Sequence, residues 1–145
     1  MKFNSQICTS REQSERLLAL GLKKETADCY LFEYDKEKYK VIAESWLDLI
    51  ADEKYYSQYK DVCIPAWSLH RLIEMMPENV SDDWLGVSFD EISYYHGEGK
   101  DMIGWKYYKA GNIYDCIIEC YEWLIKEGYF NKEYLAEQAG SSREG

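Results

Sequence analysis

Histidine is the side chain best suited to moving protons near neutral pH, and this chain of 145 residues has two, His70 and His96. His96 lies in "YYHGEGKDMIGWKYY", residues 94–108, two positions before Glu98, with Gly97 and Gly99 beside it and aromatic rings on either flank. An imidazole oriented by a carboxylate can serve as a general base, and glycines let a backbone approach a ligand closely. The stretch has neither G-x-G-x-x-G nor G-x-x-x-x-G-K-[ST], however, and an acid between its glycines would repel phosphate. Neither histidine falls in a G-x-S-x-G signature. A turn explains the glycines more simply: they supply the positive φ angles of a hairpin tip, with His96 and Glu98 as dispensable side chains.

Other groups with chemistry in them give weaker patterns. Asp82, Asp83, Asp90 and Glu91 form close carboxylate pairs that could hold a divalent cation or serve glycoside hydrolysis, but an acidic chain produces such pairs by chance. The five cysteines, Cys8, Cys29, Cys63, Cys116 and Cys120, are odd in number and include no pair at zinc-knuckle spacing. They read as reduced, buried, unpaired thiols, although Cys116 and Cys120 lie one helical turn apart. No catalytic residue, metal site or cofactor is expected.

The elements that must position these residues follow from periodicity. "TSREQSERLLALGL" offers Thr9 or Ser10 as a cap three positions before Glu12 or Gln13 and Gly21 as a stop, which predicts a helix over about 10–20 with Leu17, Leu18 and Leu20 toward the core. "CYLFEY", residues 29–34, reads as a strand. The Lys- and Tyr-rich insertion over 35–60 contains Ala43, Trp46, Leu47 and Ile50 at helical spacing, predicting one short helix. Val62 and Ile64 suggest a strand running into a helix bounded by Pro65 and Pro77, with Leu69, Leu72, Ile73 and Met76 inward and His70 on its polar side.

Beyond Pro77, Leu85, Val87 and Phe89 alternate, as do Ile103, Trp105 and Tyr107. A hairpin of about 85–95 with 103–109 is expected. The phase slips at Asp90 and Glu91, after which Ile92 and Tyr94 face inward, so a bulge is expected there. "NIYDCIIECYEWLIKE", residues 112–127, is the strongest helical pattern, capped by Asn112 and stopped by Gly128, with Asp115, Glu119, Glu122 and Lys126 as its polar stripe. Its wide apolar arc calls for cover beyond one sheet face. The expected fold class is α+β: a small antiparallel sheet including a C-terminal-half β-hairpin, with helices packed on it. One domain over 1–138 and a mobile tail over 139–145 are expected.

Composition limits the partners. The longest apolar runs, "LLAL" and "CYLF", fall far short of the roughly 20 residues that cross a bilayer. "MKFNSQICTSREQ" has no apolar block of signal-peptide length, so a cytoplasmic protein is expected. The net charge is −10, and no Lys or Arg occurs from Leu72 to Gly99. Such a chain should not bind nucleic acid directly, since that requires cations against phosphate.

Three segments, "TSREQSERLLALGLKKETADCY", "IPAWSLHRLIEMMP" and "NIYDCIIECYEWLIKEGY", resemble the recurring blocks of an uncharacterised family of small proteins carried by phages, prophages and mobile elements of gut anaerobic bacteria. The resemblance implies a small cytoplasmic accessory protein and no assigned reaction. Together these readings favour a non-catalytic protein acting through protein–protein interaction, with an unidentified protein or a second copy as partner. The expected interaction surface comprises Trp67, Trp84, Tyr95, His96, Tyr108 and Trp123. The alternatives are an acidic nucleic-acid mimic that occupies a host DNA-binding protein, or a small hydrolase using its acidic residues.

Overall fold

Ser10 starts the first helix by a reciprocal pair of hydrogen bonds. Its hydroxyl accepts from Gln13 N while the Gln13 side chain accepts from Ser10 N, satisfying donors that the first turn leaves over. The computed structural model describes residues 5–35, 38–97 and 103–137. Its element order is α1 (Arg11–Ala19), β1 (Cys29–Asp35), β2 (Lys38–Ile42), α2 (Trp46–Ala51), α3 (Glu53–Tyr59), β3 (Cys63–Ala66), α4 (Leu69–Glu74), β4 (Asn79–Val80), β5 (Asp83–Ser88), β6 (Glu91–His96), β7 (Ile103–Lys109) and α5 (Ile113–Lys126). The fold is α+β, with two antiparallel sheets ordered β2-β1-β3 and β4-β5-β6-β7. No helix among the described residues is long and apolar enough to cross a membrane.

The chain gathers into two units, one formed by residues up to Leu72 together with those from Glu133, the other by Ile73–Lys132. In the first, α1 ends at Gly21, whose φ of 101° is open to glycine at little cost. Trp67 is fully buried, its indole N–H donating to Thr26 Oγ1 (2.9 Å) and its backbone N–H to Thr9 Oγ1 (3.1 Å). Thr9 in turn bonds the buried Ser14 hydroxyl at 2.7 Å, so a polar network ties the N-terminal stretch, α1 and the end of β3 together. The returning chain docks beside α1 through Lys23 N to Tyr134 O and Ala136 N to Gly21 O.

The 35–60 insertion differs from its reading. It contributes a strand, β2, and two short helices, with Trp46 and Leu49 buried and Leu47 exposed. The helix expected between the prolines is also shorter, because Pro65 sits within β3 opposite Tyr30 and α4 begins only after Ser68, whose hydroxyl accepts from Arg71 N.

In the second unit α5 is capped by Asn112, which accepts from Tyr114 N, and it buries Tyr114, Cys116, Ile117, Ile118, Cys120, Tyr121 and Leu124. It packs on β6 and β7, where Ile92 and Tyr94 are buried. The Tyr94 hydroxyl reaches Pro77 O at 2.9 Å. β6 and β7 form the expected antiparallel pair. The bulge expected at Asp90 and Glu91 is instead a reversal: Ser88 pairs with Glu91 around Phe89 and Asp90, giving two strands where one was expected. A two-residue turn shifts the inward phase as a bulge would, and this one contains no glycine to announce it. Phe89, at its tip, is 88% exposed. The actual register shift lies between Tyr94 and Tyr95, opposite β7. The expected tail over 139–145 lies outside the described residues.

Candidate functional site

Strand alternation sorts the candidate residues onto different surfaces. Ile92, Tyr94 and His96 share the side of β6 that faces α5, and Trp84 and Tyr95, directly opposite one another on β5 and β6, share the other side. Trp84 is 52% exposed and Tyr95 partly so. Gly86 supplies the seat for Tyr95: a Cβ there would come within 2.7 Å of the Tyr95 ring, so the ring occupies the space over a strand position with no side chain. The result is an aromatic pair on a sheet face turned away from the helix.

Tyr108 and Trp123 belong to the opposite side. Tyr108 pairs with Ile92 across β7 and β6, and Trp123 on α5 stands 6.0 Å from Tyr94 and 5.6 Å from Tyr129, ring to ring. Tyr108 and Trp123 line an open recess with Glu119, Glu122, Lys126 and Glu127. Burial, followed by the neighbouring Cys120, Glu119 and Glu122, pushes the Tyr108 hydroxyl up to about 12. Trp67 is corrected outright: its complete burial makes it a core anchor and removes it from any surface. The six residues therefore do not form one patch.

His96 has a partner that the sequence did not reveal. Its Nδ1 lies 2.6 Å from Asp83 Oδ1, and Asp83 is only 7% exposed, whereas Glu98, the carboxylate adjacent in sequence, lies outside the described residues. The register explains the pairing, because Trp84 opposite Tyr95 places Asp83 beside His96. Gly97, at φ 96°, requires the left-handed geometry expected of the tip; Gly99 is outside the described residues. Ser81, Asp82, Asp83 and His96 line one open recess of about 420 Å³. Ser81, at φ 54°, occupies the two-residue turn between the paired Val80 and Asp83. An imidazole held by a buried carboxylate can accept a proton at its other nitrogen, but no hydrogen bond joins Ser81 to His96 among the described residues. The recess thus contains a carboxylate–imidazole pair without an engaged nucleophile.

The paired carboxylates are likewise divided. Asp83 is committed to His96, and Asp90 faces Lys109 at 3.7 Å. Among the described residues no group of three His, Cys, Asp or Glu side chains is placed to hold a metal ion. All five cysteines are buried thiols outside any disulfide. Burial pushes the Cys8 and Cys29 thiols up, to about 11 and about 12, with Asp28 as a second cause in each case, and burial also raises Cys63 and Cys116. His70 is exposed on α4, as its position opposite the apolar stripe predicted. Neither a protein-family model, nor a curated protein, nor a solved structure matches the chain.

Proposed function

We propose that this chain is a non-catalytic, cytoplasmic accessory protein of the phage or mobile-element kind, acting by binding another protein through the Trp84–Tyr95 face. The observation that carries the reading is Trp84: a tryptophan 52% exposed, directly across from Tyr95, on the sheet face opposite the one that packs on α5. Tryptophan and tyrosine bring large contact area at low entropic cost, which is why they dominate binding hot spots. The origin rests on the three sequence blocks alone.

Charge defines the partner's chemistry. The unit bearing this face carries twelve Asp or Glu against five Lys or Arg. A partner with an apolar depression rimmed by Lys and Arg would bury the rings and match the field. The test is affinity capture from the organism that encodes the chain, identification of the captured protein, and measurement of its binding to wild type and Trp84→Ser at two salt concentrations. Loss of about tenfold or more in affinity with Trp84→Ser, at modest salt dependence, supports the reading. Binding that collapses with salt and ignores Trp84→Ser would favour the nucleic-acid mimic instead.

A further inference from the structure

Within the first unit, and among the described residues, one sheet edge is unpaired beside an apolar groove. β2 is the outer strand of its sheet, paired with β1 on one side. Val41 is opposite Leu31 and Tyr39 opposite Glu33, so Tyr39 and Val41 lie on the face that carries Leu31. Residues 5–11 pass over that face and leave a groove of about 280 Å³ lined mainly by Ile7, Cys8, Leu31, Tyr39 and Val41. Ile7, Tyr39 and Val41 are 65%, 43% and 40% exposed. The other face of β1 is occupied: Phe32 meets the Tyr59 ring of α3 at 5.3 Å.

The charge at this edge is opposite to that of the chain as a whole. Lys38 and Lys40 are exposed on β2, and neither has an ion-pair partner among the described residues. Arg11, at the mouth of the groove, is already held by Glu15 at 3.2 Å and Glu33 at 3.0 Å, whereas the strand's own cations are Lys38, opposite Asp35 in register, and Lys40, opposite Phe32. Lysine on an edge strand discourages pairing with an identical strand, because the like charges would stand near one another, and it selects an acidic one.

We propose that β2 accepts an extended segment of an acidic protein partner as a fourth, antiparallel strand. The backbone of that segment would pair with the open edge. Side chains opposite Lys38 and Lys40 would be acidic, and those opposite Tyr39 and Val41 would be apolar and enter the groove, so the recognised sequence alternates acidic with apolar at period two. This surface belongs to the other unit from Trp84, so it stands or falls independently of the function proposed above.

The test uses the full chain, isotopically labelled for NMR, with two short blocked peptides, one alternating Glu with Val and one alternating Lys with Val. The Glu–Val peptide should give saturable shifts at the amides of Lys38–Ile42 and the methyls of Ile7 and Val41. Lys38→Glu/Lys40→Glu should weaken it about tenfold or more, and Trp84→Ser should leave it unchanged. Equal binding of both peptides, shifts confined to other residues, or no shift at millimolar peptide would overturn the proposal. So would dimerisation through β2 without peptide, which would make a second copy the occupant.

Discussion

The fully buried tryptophan of the first unit, Trp67, is held by hydrogen bonds to Thr9 and Thr26, whereas the core of the second is Tyr94, Ile92, Ile117, Tyr121 and Leu124, one helix packed on one sheet. Their surfaces differ too: fifteen acidic against twelve basic side chains in the first, twelve against five in the second. Polar networks need every partner in place, while apolar packing needs only shape and volume. The first unit should therefore be the more sensitive to single polar deletions.

The largest effect is expected at Trp67. Trp67→Ala should cost about 3–5 kcal/mol by denaturant unfolding, through the cavity and the lost indole N–H bond to Thr26, while the backbone bond to Thr9 survives. A cost near 1 kcal/mol would break the contrast between the units. Ile117→Ala, which removes buried contacts without orphaning a polar atom, should cost about 2–5 kcal/mol. Thr9→Val sharpens the comparison: nearly isosteric, it should still destabilise by about 1–3 kcal/mol because Trp67 N and Ser14 lose their partner.

His96→Ala should cost about 1–2 kcal/mol, since it leaves the mostly buried Asp83 carboxylate without its hydrogen bond. This exceeds the small effect expected when His96 was read as a partnerless loop side chain. In the His96→Ala background, further replacement of Asp83 by Asn should recover part of the loss. Failure to recover any would deny the pair its energetic role.

The smallest effects concern the thiols, and their sign is fixed by the raised Cys8 and Cys29 values. Folding favours the protonated thiols, so their contribution is fully present below the ordinary thiol value of 9.0 and is lost as pH climbs through about 11 and about 12. Melting temperature should fall over that alkaline range and be indifferent to reductant at neutral pH. A large drop on adding reductant at pH 7 would contradict five cysteines outside any disulfide.

What could be read from sequence was local. The Ser10–Gln13 box, the Gly21 stop and the Asn112 cap are signals within a few residues, and each produced its helix end. The Trp67 network joins residues 58 and 41 positions apart, beyond any periodicity, and so the sequence pattern does not distinguish Trp67 from a surface ring. The Asp83–His96 pair depended on the register of β5 against β6, which the unrecognised Phe89–Asp90 reversal concealed. β2 does carry a legible signal, Tyr39 and Val41 alternating with lysines, but the helical spacing of Ala43, Trp46, Leu47 and Ile50 points to one short helix in that insertion. The candidate surface was legible as residue types and not as faces: Trp84 and Tyr95 meet, while Tyr108 and Trp123 look the other way.

The most direct test of the binding account measures two quantities on Trp84→Ser: its melting temperature and its affinity for the captured partner. Because Trp84 is half exposed, the account predicts a melting temperature within about 3 °C of wild type, a shift worth less than about 1 kcal/mol, together with affinity weakened about tenfold or more. Unchanged affinity at unchanged stability would contradict it, and the Trp84–Tyr95 face would then be ordinary surface.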